Sequence, residues 1–302
     1  MKKIVALMLA CLLMLSPGTT LAWSGAGHMV IAAGAYRQLS AAEKAKVNEI
    51  LKAHPDYEKW SKAYKPGEID LPTYIFMRAS TWPDEIRRGN GGDRQYDHAH
   101  WHYVDYPLRP PSFPMEKEPA PTDDVLYGVA ECEKGLSGKS TSPEMRAVLL
   151  SYLIHLVGDM HQPLHCCSLF TEAYPKGDKG GNDFYVMPGS RGIKLHSLWD
   201  GLLGTSGSPQ AHMNYAVEIE KEHPRKSLPE LKKDTTPKAW SLEGRQLAID
   251  KAYLRGELKG GTSAENAPTL PEGYTKEAKA VAEKRAALAA YRLAGEIQKD
   301  FR

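Results

Sequence analysis

Residues 143–165 read PEMRAVLLSYLIHLVGDMHQPLH, an apolar helix pattern that ends in three histidines and an aspartate. The apolar run predicts a helix over residues 143–160. His155 and Asp159 are four residues apart, so on a helix their side chains share one face and can reach the same ion. Histidines in a helix can also serve only to satisfy buried hydrogen bonds. Three of them with an aspartate in so short a stretch favour a metal site.

A second histidine–aspartate pair lies further along the chain. Pro163 disfavours continued helix at Gln162, and the resulting turn can bring His165 toward a neighbouring ion. His196 and Asp200 then repeat the four-residue spacing. One such pair is common by chance, but two in one chain are less so, and imidazole with carboxylate is a usual ligand set of zinc.

A third group of histidines alternates along the chain ahead of Asp105. These are His98, His100 and His102, which on an extended segment would share one face, so that geometry does not choose among them. Asp84 supplies another carboxylate, although an aspartate after Trp-Pro is often a helix cap. The sequence therefore contains more candidate ligands than one ion needs.

The rest of the chain is also helical in pattern, and we predict an all-α, single-domain helical bundle. Ser40 followed three residues later by Glu43 has the form of a capping box. A Pro-rich loop at 107–121 and a Gly-rich loop at 177–192 interrupt the helices, and the second suits a short hairpin around residues 184–186. Further helices are predicted at 29–39, 72–88, 123–136, 210–222, 239–254 and 276–301.

The chain begins with the pattern of a secretory signal peptide over residues 1–22. Lys2 and Lys3 precede an apolar run that is too short to span a membrane comfortably. Ala22 is a small residue suited to signal peptidase, so we expect cleavage between Ala22 and Trp23. The product would be a periplasmic or secreted protein without stable membrane insertion, whose N-terminal amine becomes a potential metal ligand.

Charge and cysteine content limit the function further. Without the two lysines of the signal peptide, residues 23–302 contain 37 basic and 37 acidic residues, which gives no support for tight nonspecific binding to duplex DNA. Three cysteines in an exported chain predict one disulfide, of Cys132 with Cys166 or Cys167. The alternative is that Cys166 or Cys167 binds metal. A lipoprotein signal at Cys11 fits poorly.

Six short motifs follow one another between Trp23 and Asp200. They are Trp23-x4-His28, Trp82-x-Asp84-x2-Arg87, Trp101-His-Tyr-Val-Asp105, His155-x3-Asp159-x-His-Gln-Pro-Leu-His165, Gly180-Gly-Asn182 and His196-x3-Asp200. In order and spacing this set resembles the secreted, zinc-dependent single-strand-specific nucleases and 3′-nucleotidases of fungi, plants and bacteria. The helical C-terminal third carries no motif.

The resemblance implies a fold of the phospholipase C/nuclease type with three zinc ions in a cleft. Asp159 would bridge two of the ions, and positions would remain vacant for water and phosphate. The implied ligands are Asp84, His102, His155 and Asp159 for the first ion, the Trp23 amine and carbonyl with His28 and Asp159 for the second, and His165, His196 and Asp200 for the third.

The resemblance also implies the reaction, hydrolysis of single-stranded RNA or DNA and of 3′-nucleotides. Zinc lowers the pKa of bound water to roughly 7, so that hydroxide can attack phosphorus near neutral pH. The attack would displace the 3′ oxygen and leave a 5′-phosphate. Asp84 and Asp159 would be the catalytic carboxylates, and Arg87 would stabilise the developing charge unless it is only a surface arginine ending a helix.

Substrate selection would depend on a base that is bound beside the phosphate. Tyr103 would stack on this base, Asp105 would accept hydrogen bonds from its edge, and Asn182 would contribute. Stacking needs an unstacked base, which predicts a preference for single strands over duplex. Tyr103 could instead be an ordinary packing residue.

Two alternatives remain, and no obligate protein partner is expected with either. A zinc-dependent phospholipase C shares the helical trinuclear plan, but the short Trp23-x4-His28 spacing and the aspartate at Asp200 argue against it. A non-catalytic periplasmic zinc-binding protein would usually cluster its histidines in a flexible tract.

His161 is expected to orient a carboxylate rather than bind metal. The other histidines are expected to lie outside the site: His54, His98, His100, His212 and His223.

Overall fold

Helices make up most of the chain that the computed structural model describes, which comprises residues 23–67, 69–89, 94–111, 113 and 123–300. The helices are α1 (Gly25–Gln38), α2 (Ala41–Leu51), α3 (Tyr57–Ala63), α4 (Leu71–Ala79), α5 (Trp82–Arg87), α6 (Val125–Ser137), α7 (Pro143–Asp159), α8 (Leu195–Asp200), α9 (Pro209–Glu222), α10 (Glu230–Lys233), α11 (Pro237–Leu247) and α12 (Tyr274–Asp300). The prediction of an all-α bundle is confirmed.

Helix α7 lies at the centre of the bundle. Ser142 caps its first turn by accepting a hydrogen bond from the Met145 N–H at 3.2 Å, and Pro143 occupies a position where no N–H is needed. Every residue from 147 to 159 is buried. Helices α2, α4, α5, α6 and α12 all pack against α7, and α1 packs between α4, α9 and α12. The metal-binding pattern at the end of α7 is therefore deep in the protein.

Short strands complete the fold. Strands β1 (Pro107–Leu108) and β2 (Ser168–Leu169) pair in parallel. Strands β3 (Tyr185–Val186) and β4 (Ile193–Lys194) form the antiparallel hairpin that the sequence predicts, with Val186 opposite Ile193. Among the described residues, no helix combines the length and the apolar character needed to cross a bilayer.

Several predicted boundaries are wrong for local reasons. The predicted helix at 72–88 is two helices, α4 and α5, because Pro83 has no N–H to bond the carbonyl of Ala79. The segment expected to be extended around His98–Asp105 contains a 3₁₀ turn at Ala99–His102, so alternate histidines do not share a face. The predicted helix at 239–254 ends earlier, because α11 passes into a π-helical turn at Ala248–Ala252.

The expected disulfide is not formed in the described part of the chain. Cys132, Cys166 and Cys167 are buried thiols. The Cys166 thiol donates to the Met160 carbonyl at 3.4 Å and packs beside Gly244, so it fills core volume as a small apolar side chain. Three predictions fall outside the described residues: the signal peptide at 1–22, most of the loop at 107–121 and the last residue of the predicted helix at 276–301.

Candidate metal centre and adjoining cleft

The end of α7 contributes His155 and Asp159 to a buried cluster that also contains His28 of α1. The His28 Nε2 lies 3.2 Å from the Asp159 Oδ1, and the His28 ring stacks on the His155 ring with centroids 4.0 Å apart. Gly158 permits this approach, because a Cβ there would lie 3.0 Å from the His28 Nδ1. The lack of a side chain at Gly158 thus lets α1 present its histidine directly to α7.

Asp84 and His102 reach the same cluster from two other elements. Asp84 follows Pro83 in α5, but it does not cap the helix, whose N-cap is Thr81. Its Oδ1 lies 3.6 Å from the His102 Nδ1, at the end of the 3₁₀ turn, and 3.7 Å from the His155 Nε2. Four separate elements therefore meet at this point.

The two carboxylate oxygens of Asp159 face different partners. Oδ1 faces His28, whereas Oδ2 lies 3.0 Å from both the His102 Nδ1 and the His155 Nε2. The His155 Nδ1 donates to the Ser80 carbonyl at 2.7 Å, so in the neutral ring its Nε2 carries a lone pair. The arrangement suits a carboxylate shared between two cations.

A second cluster joins His165 to His196 and Asp200 of α8. The Nδ1 atoms of the two histidines donate to the carbonyls of His102 and Gly180, each at 2.6 Å. In the neutral rings this leaves two Nε2 lone pairs that face each other at 3.1 Å, with the Asp200 Oδ2 3.6 Å from His196. Such lone pairs repel unless a cation or a proton lies between them.

Gln162 orients the carboxylate of this second cluster, a role that the sequence did not reveal. Its buried amide Nε2 donates to the Asp200 Oδ1 at 2.8 Å, while its Oε1 accepts from the Leu164 N–H at 2.6 Å. Since both ends of the amide are engaged, Gln162 fixes Asp200 with Oδ2 toward His196.

Trp23 lies between the two clusters. Its indole Nε1 donates to the Gly158 carbonyl at 3.0 Å, one residue before Asp159. The next residue, Ser24, donates its backbone N–H to the Asp200 carbonyl at 3.0 Å. The start of the predicted mature chain is thus held at the ends of both α7 and α8.

The electrostatics of the first cluster call for positive charge. Burial, together with the neighbouring His155, lowers the pKa of His28 to about 4. Burial would also raise the pKa of Asp159, but His155, His102 and His28 outweigh it and hold that pKa well below its usual range. A buried carboxylate that stays ionised needs compensating charge.

Buried polar atoms in the first cluster are left over after all hydrogen bonds are made. Within the described residues, both ring nitrogens of His28, the Oδ1 of Asp84, the Oδ1 of Asp159 and the Nε2 of His102 have no hydrogen-bond partner. Such atoms are rare in protein interiors unless they bind an ion or water. The groups whose ligand atoms lie within 4.8 Å of one another are His28–His155–Asp159, Asp84–His102–His155 and His165–His196–Asp200.

A cleft of about 170 Å³ opens beside the second cluster. The four side chains expected to contact substrate all line it, namely Arg87, Tyr103, Asp105 and Asn182. His102, His165 and His196 line the same cleft. Burial, together with the nearby Asp178, raises the pKa of Asp105 to about 6. The structure therefore brings three of the predicted metal ligands and the predicted substrate residues to one cleft.

The loop that follows β2 is held by hydrogen bonds of the Asp178 side chain and by the backbone of its glycines and Lys179. Buried Asp178 accepts from the Leu169 N–H at 2.9 Å and from the Tyr253 hydroxyl at 2.7 Å. Gly180 has φ +60°, and a Cβ there would lie 2.3 Å from the Leu164 carbonyl oxygen, so only glycine fits. The Asn182 amide donates to the Lys179 carbonyl at 2.8 Å.

Lys179 is a cleft residue that sequence reasoning missed. Its side chain is 72% exposed and pairs with Asp183 at 2.9 Å. Its backbone has φ +56°, which is uncommon for a residue with a Cβ. A lysine in a Gly-rich loop carries no local signal of function, so only the fold reveals that it lines the same cleft as Arg87.

His161 does not orient a carboxylate of the metal centre as expected. Its Nδ1 donates to the Val157 carbonyl at 2.7 Å, and its Nε2 lies 2.9 Å from the Arg292 guanidinium. The remaining histidines lie outside both clusters, and two of them, His54 and His212, are buried. They are His54 stacked on Trp60, His98 stacked on Trp101, His100 paired with Asp123, His212 and His223.

Known proteins resemble this chain along most of its length. Nuclease P1 of Penicillium citrinum is 28% identical over 181 residues, which cover 59% of this chain and 57% of that protein. Endonuclease 4 of Arabidopsis thaliana is 25% identical over 253 residues, which cover 73% of this chain and 75% of that protein. Nuclease S1 of Aspergillus oryzae is 22% identical over 156 residues, which cover 51% of this chain and 49% of that protein. The chain thus matches little more than half the length of Nuclease P1.

The profile that describes S1/P1 nucleases as a family matches residues 23–302, from the tryptophan at the first cluster to the end of the chain. It therefore includes both histidine–aspartate clusters, the cleft and the C-terminal helix. The protein belongs to the S1/P1 nuclease family.

Proposed function

We propose that the protein is a zinc-dependent nuclease that hydrolyses single-stranded RNA or DNA and 3′-nucleotides. The observation that carries the proposal is the position of Asp159, whose two oxygens face separate sets of histidines beside a polar cleft. The similarity to proteins named as nucleases supports it. The products would be 5′-phosphorylated, because the 3′ oxygen is displaced.

Three zinc ions fit the buried donor atoms. Imidazole nitrogen and carboxylate oxygen are ligands that zinc accepts, and the orphaned atoms of His28, Asp84 and Asp159 would gain a partner. When bound, zinc supplies Lewis acidity toward the phosphoryl group and toward the attacking water. The proposed sets are Asp84, His102, His155 and Asp159; the Trp23 amine and carbonyl, His28 and Asp159; and His165, His196 and Asp200.

The cleft side chains would bind the substrate around this centre. Arg87 would bring a fixed positive charge to the phosphate during displacement. Tyr103 would stack on a base, while Asp105 and the buried Asn182 Oδ1, which accepts no hydrogen bond from the described residues, would meet the base edge. A base can enter such a site only after it leaves its own stack, which favours single strands over duplex.

Two features of the cleft favour nucleic acid over the alternatives. Its lining includes Arg87, Lys179, Asp105 and Asn182, which suit phosphate and base rather than a lipid surface. The histidines are fixed on helices and turns instead of lying in a flexible tract, as a non-catalytic zinc-binding protein would arrange them. A phospholipase C or a zinc-binding protein is therefore less well supported.

Export and processing belong to the same proposal. Cleavage between Ala22 and Trp23 would release the protein into the periplasm or the medium and give Trp23 a free amine next to Asp159. The hydrogen bonds of the Trp23 indole and the Ser24 backbone at the ends of α7 and α8 support this placement.

The deciding experiment is hydrolysis of a single-stranded oligonucleotide by purified protein that begins at Trp23. We expect release of 5′-phosphorylated products, loss of activity with a zinc chelator and recovery with added zinc. An equal length of duplex should be cleaved much more slowly. If zinc-loaded protein leaves the oligonucleotide intact, the nuclease proposal is wrong, and hydrolysis of phosphatidylcholine becomes the next assay.

A further inference from the structure

The C-terminal helix α12 buries two arginines against the end of α7. Arg285 and Arg292 are seven residues apart, which is two helical turns, so they lie on the same side of α12. Their relative exposures are only 2% and 5%. Guanidinium groups at this depth are costly unless their N–H groups are paired, and of their nitrogens only the Nε of Arg292 has no partner among the described residues. The contacts of the other N–H groups therefore identify what the two arginines hold.

Arg285 binds the backbone of the turn that follows α7. Its Nε donates to the His161 carbonyl at 3.2 Å, and its Nη2 donates to the carbonyls of Met160 at 3.4 Å and Trp240 at 3.2 Å. The last carbonyls of a helix lack partners within the helix and carry partial negative charge. Arg285 therefore binds the carbonyls just past the C-terminal end of α7 from a distant part of the chain.

Arg292 binds the side chain of the same turn. Its Nη1 lies 2.9 Å from the His161 Nε2, and its two Nη atoms bind the two oxygens of Glu243 on α11, each at 2.7 Å. Glu243 also forms an ion pair with Arg285. Burial would raise the pKa of Glu243, but the hydrogen bond from Arg292 and the charge of both arginines lower it. One carboxylate thus joins the two arginines.

The turn at residues 160–162, which both arginines bind, lies between the two metal-binding clusters. Met160 directly follows Asp159, whose oxygens face the first cluster. Gln162 directly follows His161 and holds Asp200 of the second cluster at 2.8 Å. A shift of the 160–162 backbone would therefore change both carboxylates at once.

We propose that Glu243, Arg285 and Arg292 are positioning residues for the metal centre, which hold the 160–162 turn so that Asp159 and Gln162 keep their orientation. This inference depends on the proposed zinc sites. It assigns a functional role to the C-terminal third of the chain, which contributes none of the predicted metal ligands.

The test compares two arginine-to-lysine variants, Arg285→Lys and Arg146→Lys. Arg146 also reaches a backbone carbonyl, that of Leu136 at 2.6 Å, but it lies at the opposite end of α7. The zinc dissociation constant is measured by competition with a coloured chelator, and thermal unfolding is measured on the metal-free proteins. We expect Arg285→Lys to weaken zinc binding about 10- to 100-fold, the usual effect of losing a group that orients ligands, and Arg146→Lys to leave it unchanged.

If Arg285 has only a structural role, both metal-free variants should unfold at a lower temperature while both keep the wild-type zinc affinity. That result would overturn the inference. If Arg285→Lys does not fold, Arg292→Lys is measured in the same way, since it removes the contact with His161 and keeps the charge. Absence of zinc binding by the wild-type protein would instead reject the proposed metal centre itself.

Discussion

Single residues in the first cluster carry more than one contact, and Asp159 is the clearest case. A carboxylate can accept on both oxygens, and here each oxygen faces different histidines. The i, i+4 spacing with His155 made this residue predictable from sequence. Its second function, toward His28, depends on the packing of α1 against α7 and required the resemblance.

Replacing Asp159 by asparagine should remove the shared ligand. An amide offers one acceptor oxygen, and its NH₂ group would face nitrogen donors or a cation. We expect loss of the two ions that Asp159 serves and a fall in activity of at least about 100-fold. Metal analysis and oligonucleotide hydrolysis measure the two effects, with Asp250→Asn as control, since Asp250 is partly exposed and lies outside the candidate metal-binding groups. Full zinc content with normal turnover would disprove the bridging role.

Two variants of Tyr103 distinguish stacking of its ring on a base from hydrogen bonding by its hydroxyl. If the ring stacks on a base, Tyr103→Phe should keep most of the affinity, whereas Tyr103→Ala should lose about 1–3 kcal/mol, a rise in KM of roughly 5- to 150-fold. The measurement is KM for a short single-stranded oligonucleotide. A fall in affinity for Tyr103→Phe as large as for Tyr103→Ala would show that the hydroxyl, and not the ring face, is what matters.

Among the elements, the loop after β2 depends on backbone conformation more than on side chains. Gly180 has no side chain, yet its carbonyl fixes the His196 ring, and an added Cβ would lie 2.3 Å from the Leu164 carbonyl oxygen. The Gly-Gly-Asn motif was visible in the sequence, but the reason for its first glycine was not. That reason is the close approach of the Gly180 backbone to the Leu164 carbonyl.

Gly180→Ala should therefore weaken zinc binding at the second cluster, because the new Cβ would force the loop and His196 to move. Gly67→Ala is the matched control, since Gly67 has φ +108° with no atom within 4 Å of the added Cβ. Both variants should lose about 1 kcal/mol of stability from backbone strain. Only Gly180→Ala should also lose zinc, as measured by chelator competition. Equal zinc affinities would mean that the loop does not position His196.

For the whole molecule, the metal centre should contribute to stability. Ligands that bind only the folded state stabilise it by about 2.7 kcal/mol per site when present at 100 times Kd. Stripping the protein with a chelator should lower Tm by roughly 5 °C or more for a chain of this size. Calorimetry with and without chelator measures this shift, and zinc but not calcium should reverse it. An unchanged Tm would argue against zinc at these clusters.

The N-terminus gives a second test of the metal centre. One residue added before Trp23 would replace the amine by a peptide nitrogen, which has no lone pair available for a metal. We expect a lower zinc content and a marked loss of activity, measured against the protein that begins at Trp23. Equal activity of the extended protein would exclude ligation by the amine.

The sequence predicted the helical class and the shared helix face of the two i, i+4 pairs, because both depend on local periodicity. It did not predict the break between α4 and α5 or the 3₁₀ turn before Tyr103, which depend on single residues. It could not predict the contacts of Arg285 and Arg292. Buried arginines on a long helix look like an ordinary charged face until the packing partner, the end of α7, is known.

The burial of Trp23 between the ends of α7 and α8 has a consequence for the cell that makes the protein. On the proposed processing, the precursor still joined to its leader has no terminal amine to complete the second zinc site. Newly made chains would then be inactive toward the host's own RNA until they have left the cytoplasm. Export itself would be the step that releases the activity.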